Sequence, residues 1–235
     1  MGVKDNMNKR LSIVIPVFNK YNFTKACLND LSKLPDDHEI IVVDNGSSDE
    51  TQAELKNNTR IHYVRSEVNE GFAKACNKGY AEATSSNVLF LNNDIRVKSD
   101  YDNWTEQIIY ECDHEDCLIG PTMGQLDKDL NFIQEANKNL IGNSYMSGWC
   151  LAASKKVFDK LVLSSNQYKG PFSEEFGIAY FEDTDLSFRT KRKNIAAFQL
   201  VDIPVVHFGK VSSKQLNTSK LYSEARKIFV EKWKK

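Results

Sequence analysis

Along the first ninety-odd positions, apolar residues come in short unbroken runs separated by stretches of helical period. LSIVIPV (11–17), EIIVV (39–43), RIHYV (60–64) and NVLFL (87–91) are rich in β-branched residues. The near-continuous runs lack regular polar alternation, so they predict strands covered on both faces. Between them, Phe23, Cys27, Leu31 and Leu34 recur at spacings of four and three. Phe72, Ala75, Cys76, Gly79, Tyr80 and Ala83 fall on one helical face of GFAKACNKGYAEA (71–83). In NGSSDETQAELK, Ser47 and Glu50 have capping-box spacing and Asp49 suits a helix N-terminus.

Four strand–helix alternations predict an α/β fold: a Rossmann-like, mostly parallel central sheet with right-handed crossovers and helices on both faces. Ligands of such sheets sit beyond the carboxyl ends of the strands. The polar residues there are Asn19, then Asp44, Asn45 and Ser47, then Asn69 and Gly71, then Asn92, Asn93 and Asp94.

The pattern after residue 98 is less regular. NWTEQIIYEC (103–112) predicts a helix and CLIGP (117–121) a short strand. Residues 122–143 are polar and predict a loop or hairpin. SYMSGWCLAAS (144–154) predicts a strand, followed by a helix through Val157 and Leu161. EDTDLSFRTKRK (182–193) has acids first and bases last, matching a helix dipole. IAAFQLVDIPVVHFG (195–209) predicts one or two strands, and 219–235 an amphipathic helix with Leu221, Ala225, Ile228, Phe229 and Trp233 on one face. No repeat or linker divides the chain. The expected organisation is an N-terminal segment 1–10, disordered or a tag remnant, and one domain 11–235. That domain comprises two joined halves, 11–98 and 99–210, and a C-terminal helix (211–235).

Composition narrows the partners. A net charge of -1 shows none of the basic excess expected of a nucleic-acid binder. The apolar runs are too short to span a bilayer, and MGVKDNMNKR, without an apolar stretch, does not read as a signal peptide. Five cysteines, an odd number, suit reduced thiols in a cytoplasmic protein. CDHEDC (112–117) matches no common zinc spacing and reads as a solvated acidic loop.

Seven segments carry the chemistry. IVIPVFN, IIVVDNGSSDET, NEGFAKACNKG, LFLNNDI, MSGWCLAAS, FEDTDLSFR and VVHFG occur here in the order found in family 2 glycosyltransferases. From about Leu11 to Gly209 the chain resembles the inverting enzymes of that family, with nearest likeness to the rhamnosyltransferase-like branch. The resemblance implies a GT-A fold, with 11–98 the nucleotide-sugar-binding half and 99–210 the acceptor-binding and catalytic half, and a sugar donor linked to UDP, dTDP or GDP. It also implies a divalent cation, Mn²⁺ or Mg²⁺, and a hydroxyl acceptor on a glycan or lipid-linked glycan. A cytoplasmic enzyme, able to work at the inner face of the membrane as a peripheral protein, would fit such an acceptor.

Residue by residue, Asp44 is implied to hold the base and ribose, and a carboxylate can accept bonds from a pyrimidine N–H and from hydroxyls. Pro16, Phe18, Asn19, Asn45 and Ser47 line the same end of the sheet. Asn69, Gly71, Phe72, Lys74 and Asn77 belong to the next loop and helix; glycine admits a ligand to the backbone and Lys74 could offset phosphate charge. Asn69 and Asn77 could equally be caps. LNNDI stands where relatives carry D-x-D, so Asp94 is the implied metal ligand, flanked by Asn92 and Asn93. Asn92 replaces an acid and adds no charge, which predicts weaker metal dependence. A plain Asx turn is the alternative.

In FEDTDLSFR, Asp183 is the implied base that takes the acceptor's proton; Glu182 beside it, a catalytic or acceptor-binding carboxylate, points elsewhere on the helix and could bond the acceptor or the backbone. Asp185 and Arg189, four apart on a helix, predict a structural ion pair. His207 is an implied further metal ligand, or a structural histidine. Gly148 and Trp149 stand where relatives form the acceptor floor, though Trp149 could be core. Two other functions remain open: a sugar-phosphate nucleotidyltransferase, which would need a Gly-rich basic loop in place of PVFNKYNF, and a binding module without catalysis. For the C-terminal helix, packing on the domain is the expectation, and an anionic lipid surface or a second copy the alternative.

Overall fold

The computed structural model describes residues 9–98, 103–136, 142–209 and 217–234. The expectation for the N-terminal segment therefore falls largely outside the described residues. Four strands open the chain: β1 (Leu11–Val17), β2 (His38–Asn45), β3 (His62–Ser66) and β4 (Asn87–Leu91). Helices α1 (Tyr21–Leu31), α2 (Thr51–Leu55) and α3 (Phe72–Glu82) lie between them in sequence. Then come β5 (Ile95–Val97), α4 (Trp104–His114), β6 (Cys117–Gly120), β7 (Met123–Leu126), β8 (Phe132–Ala136), β9 (Ser144–Met146), β10 (Cys150–Ser154) and α5 (Lys155–Asp159). A 3-10 turn at Glu174–Phe176, α6 (Glu182–Arg192), β11 (Ala196–Gln199), β12 (Val205–His207) and α7 (Thr218–Trp233) complete it.

Seven strands form the central sheet in the order β11-β6-β10-β4-β1-β2-β3. β1 is parallel to both β2 and β4, and β2 to β3. β10 runs antiparallel between β4 and β6, so one strand from the second half joins the two halves in a single sheet. The alternating sides of each strand explain the unbroken apolar runs. Ile13, Ile15, Val17, Val42, Leu89 and Leu91 face one core with α4, while Val14, Ile41, Val43, Val88 and Phe90 face another with α3 and α5. Gly79 of α3 lies so close to the sheet that a Cβ would strike Val14, which gives this glycine a packing role.

The chain leaves β1 for β2 on one side and returns to β4 on the other. The strand order therefore reverses at β1, and the crevice beyond β1 and β4 is the place for a ligand.

Four differences from the sequence reading have local causes. β3 begins at His62 because Asn58 closes a turn, its side chain accepting from Arg60 N–H at 3.0 Å. The stretch 144–154 is two strands split by a turn at 147–149. The helix through Val157 stops at Asp159, and Leu161 is buried just beyond it. The Ser47–Glu50 box does not form: Ser47 Oγ accepts from Asn19 N–H at 2.8 Å, and Asp49 caps α2 by accepting from Thr51 N–H at 3.1 Å. Residues 122–143 form the hairpin β7–β8 and lead to β9, with 137–141 outside the described residues.

Candidate active site

β4 ends in the core and the chain turns at once through Asn92, Asn93 and Asp94. Asp94 is 5% exposed, and its Oδ1 lies 3.0 Å from His207 Nε2. Asn92 Nδ2 is 3.3 Å from the same nitrogen. His207 reaches them because β12 pairs with β5, setting His207 opposite Ile95, and Phe208 N–H donates to Asp94 O at 2.9 Å. The imidazole lies flat on the Trp149 indole, with centroids 4.8 Å apart and planes 7° apart. Asn93 turns the other way and donates to Thr24 Oγ1 on α1 at 2.9 Å. It anchors the loop, and the donor-binding role expected for it has no support in its position.

The turn Ser147–Trp149 joins this cluster to the acids. Trp149 O accepts from Asn92 N–H at 2.8 Å, while Gly148 N–H donates to Asp183 Oδ2 at 2.9 Å. Gly148 also needs to be small, since a Cβ there would lie 3.0 Å from Asp183 Cβ. Asp183 Oδ1 accepts from Thr184 N–H at 2.7 Å and from the Thr184 hydroxyl at 3.1 Å. Burial nevertheless raises the Asp183 pKa above the ordinary carboxylate value, with these bonds opposing it.

Of the two partners open to Glu182, the acceptor or the backbone, its position favours the backbone, with bonds from its own N–H and that of Tyr180. The residue is 4% exposed, and Oε1 is buried without a partner among the described residues. Burial pushes its pKa up to about 8, with backbone bonds partly opposing the rise and the neighbouring Asp183 charge adding to it. An acceptor-binding role is not favoured by that position. Asp185 and Arg189 form the predicted ion pair at 2.7 Å, buried, with Arg189 also donating to Leu161 O and Pro171 O.

The two residues before α6 carry strain. Tyr180 and Phe181 have φ of 82° and 68°, and left-handed backbone costs a bulky residue roughly 1–3 kcal/mol. Sequence reasoning missed both, because aromatic side chains give no sign of such a conformation.

At the end of β2, Asp44 is fully buried. Its Oδ1 accepts from Ser47 N–H at 2.8 Å, three residues on, closing the loop after β2. Its Oδ2 accepts from Tyr63 OH at 2.5 Å and pairs with Arg65. Burial, with Asp44 beside it, pushes the Tyr63 phenol up to about 12. Sequence reasoning missed Tyr63 and Arg65 as well. Their spacing of two on one strand was the available signal, and Arg65 stands directly opposite Asp44 in the β2–β3 register.

The remaining polar residues tie loops together. Asn45 Nδ2 donates to Asn69 Oδ1 and Gly71 O, and its Oδ1 accepts from Glu70 N–H. Asn19, at φ 57°, accepts from Ser48 N–H at 2.7 Å. Gly71, at φ 96°, admits protein rather than ligand: a Cβ would collide with Gly177 O, and Phe72 N–H donates to Ile178 O at 2.9 Å. Asn77 is neither cap nor pocket residue. It lies within α3 and clasps Phe172, donating to its O at 2.9 Å and accepting from its N–H at 3.0 Å. Lys74 donates to Gln167 at 3.0 Å. Pro16 and Phe18 are half-buried at the carboxyl end of β1, facing the crevice region with no polar group to offer beyond the backbone.

All five cysteines are buried and free. His114, exposed in the CDHEDC stretch, bonds Tyr110 O, and no zinc cluster forms among the described residues. No helix among the described residues is long and apolar enough to cross a membrane.

A mostly parallel sheet, a polar cluster at its switch point and an acid-headed helix define an α/β domain with its candidate site beyond β1 and β4. The profile of Glycosyl transferase family 2 matches residues 12–131, and the chain belongs to that family. It is 24% identical over 177 residues to Glycosyltransferase GlyA of Streptococcus pneumoniae, covering 73% of this chain and 23% of that protein. It is also 24% identical over 251 residues to the Low-salt glycan biosynthesis hexosyltransferase Agl10 of Haloferax volcanii, covering 97% and 77%. The chain thus spans under a quarter of the first relative and about three quarters of the second. Among solved structures, GalNAc-T7 with UDP, GalNAc and Mn²⁺ superposes with a TM-score of 0.67 at 14% identity, over 87% of this chain and 44% of that one. A mannosyltransferase of Pyrobaculum calidifontis with GDP-Man and Mn²⁺ gives 0.59 at 15%, over 84% and 56%. TarS of S. aureus with UDP gives 0.57 at 21%, over 82% and 58%. These likenesses establish the GT-A fold.

Proposed function

We propose that the protein is an inverting glycosyltransferase that moves a sugar from a nucleotide-diphosphate donor to a hydroxyl of a glycan or lipid-linked glycan. The observation that carries this is the turn at 147–149. Its Gly148 N–H holds Asp183 while Trp149 holds Asn92 and stacks on His207, so one rigid element sets the acid against the Asn92–Asp94–His207 cluster.

Asp94 and His207 offer an oxygen and a nitrogen donor on one side only. That suits a divalent cation that takes further ligands from a diphosphate, and an imidazole favours Mn²⁺ over Mg²⁺. When bound there, the cation would neutralise charge growing on the leaving diphosphate. In this reading Asp44, braced by Arg65 and Tyr63 at the carboxyl end of β2, would hold the base and ribose. Asp183 Oδ1 and Oδ2 are fixed by three hydrogen bonds, and its raised pKa moves it toward the range in which a carboxylate can accept a hydroxyl proton at neutral pH. Trp149 leaves part of its ring for the face of an acceptor sugar. All three structural neighbours named above are complexes, two with UDP and one with GDP-Man, which supports a nucleotide donor without choosing one.

Calorimetric titration of UDP, dTDP and GDP, with Mn²⁺ and with chelator, tests this. Metal-dependent binding of one nucleotide is expected. Binding that is the same in chelator would remove the metal from the mechanism. No binding of any nucleotide would turn the reading to a module that has kept the fold and lost the reaction.

A further inference from the structure

The C-terminal helix α7 is remote in sequence from α6, yet it holds the first turn of the helix that bears Asp183. Trp233 Nε1–H donates to Asp185 Oδ1 at 2.9 Å, across 48 positions of chain, and Lys232 Nζ reaches the same oxygen at 2.8 Å. Asp185 is fully buried, and its other oxygen is taken by Arg189. Its own N–H donates to Phe181 O at 2.8 Å, closing the first turn around Glu182 and Asp183.

The same helix covers the strained entry to that turn. Phe229, fully buried, stacks on Phe181 with centroids 5.0 Å apart and planes 27° apart. Tyr222 packs edge-on to Tyr180 at 5.6 Å and against Phe181 at 5.2 Å. Tyr180 and Phe181 are the pair at positive φ, a conformation that persists only where surroundings over-determine it. The aromatic face of α7 supplies that restraint. Trp233 is itself fixed between Phe188 at 5.1 Å and the Arg192 guanidinium at 4.0 Å. The other flank of α7 is tied to the β7–β8 turn by Arg226 on Asn131 and Lys234 on Asp129, so α7 is anchored independently of α6.

We propose that Trp233, with Lys232 and Phe229, positions Asp183 for proton transfer: α7 is part of the catalytic apparatus rather than a covering helix or a lipid contact. The assignment rests on the glycosyltransferase reading for its kinetic consequence, but the mechanical link stands apart from it. A shift of about 1 Å at a reacting group can cost on the order of 100-fold in rate, so small changes two residues from Asp183 should be visible in turnover.

The test is Trp233→Phe, which keeps an aromatic ring against Phe188 and Arg192 and deletes the N–H. Donor turnover is measured with UDP-, GDP- and dTDP-linked sugars, with nucleotide affinity by calorimetry. Amide exchange across 178–187 is followed by mass spectrometry. The expected result is a kcat lower by roughly 5- to 20-fold at unchanged nucleotide affinity. Faster exchange confined to the start of α6, with the sheet strands unchanged, is expected alongside it. Lys232→Gln, at a half-buried side chain, carries the same expectation and serves if Trp233→Phe fails to fold. Unchanged exchange in 178–187 overturns the proposal. So does a fall in kcat matched by equal losses in nucleotide affinity and in protection of the whole sheet, the mark of general destabilisation. If the wild-type protein turns over no donor, the enzymatic reading fails, and the exchange result still decides whether α7 holds the α6 turn.

Discussion

Two buried carboxylates set the halves of this molecule apart. At the end of β2, Asp44 is matched on every side, by Arg65, by Tyr63 OH and by Ser47 N–H. At the start of α6, Glu182 has an oxygen buried without a partner and a pKa pushed up to about 8, and Asp183 beside it is also raised. The N-terminal half is thus electrostatically satisfied as it stands. The acid-bearing half holds carboxyls whose charged form is disfavoured and positive-φ backbone at one helix start. Such cost is tolerated where a group must be ready to take a proton, and the packing of α7 and the 147–149 turn sustains it.

The largest effect that would break this contrast is on catalysis. Asp183→Asn removes the proton acceptor while keeping the shape and the Gly148 bond. Turnover should fall by roughly 100- to 10,000-fold, with nucleotide affinity nearly unchanged. A variant that retains near-full kcat would move the base elsewhere and leave α6 as an ordinary acid-capped helix.

The next effect concerns the matched side. Arg65→Met takes the cation from a fully buried carboxylate. Breaking a buried pair this way costs about 3 kcal/mol or more, read as a lowered urea midpoint. Nucleotide binding should weaken with it, since Asp44 loses its orientation. A loss well below about 1 kcal/mol would mean that Asp44 is not held by charge, and the contrast between the halves would shrink.

How far these features could be read from the chain follows the same division. Strands β1, β2 and β4 of the first half were plain because both their faces are largely buried, which leaves near-continuous apolar runs; β3, at the sheet edge, is only partly buried. Asp44 and Asp94 stood out because they end such runs. Arg65 did not, since its role depends on lying opposite Asp44 across a parallel ladder, a relation set by register and invisible within one strand. The second half hid more. The 144–154 stretch shows only Ser147 and Gly148 where the chain turns, a break too short to stand out among residues that suit a strand. Tyr180 and Phe181 adopt positive φ against their own preference, under pressure from aromatic residues of α7 far along the chain. His207 meets Asp94 across a two-stranded pairing of β12 with β5 that no periodicity announces.

Acidity gives a third, smaller test. Glu182 in the folded chain holds its proton up to about 8, whereas an unfolded glutamate releases it near 4.5. Between those values the native state binds more protons than the unfolded one. Stability should therefore fall as pH rises from about 4.5 toward 8 and level off above, with Asp183 adding in the same direction. Glu182→Gln removes the cost of the charge. It should be more stable than wild type by roughly 1–3 kcal/mol at about pH 8.5, and near neutral in effect at about pH 5, by urea unfolding. Equal pH profiles for the two proteins would show that Glu182 is not buried uncompensated.

The smallest effect is the most diagnostic of the cluster beyond β4. Asn92 lies 3.3 Å from His207, beside Asp94, and brings no charge. Asn92→Asp would give the site a second carboxylate at a position already oriented by Trp149 O. Ligand charge count tunes divalent affinity, so Mn²⁺ binding without nucleotide should tighten by about 5- to 10-fold. In metal-free protein the new charge repels Asp94, and stability should drop by less than ~1 kcal/mol. Trp149, stacked on His207, supplies the optical readout for the titration. If the carboxylate introduced by Asn92→Asp leaves Mn²⁺ affinity where it was, the cation is not held at this end of β4. The Asn92–Asp94–His207 contacts would then be a structural clasp for β12, and the donor half would owe its nucleotide site to Asp44 and Arg65 alone.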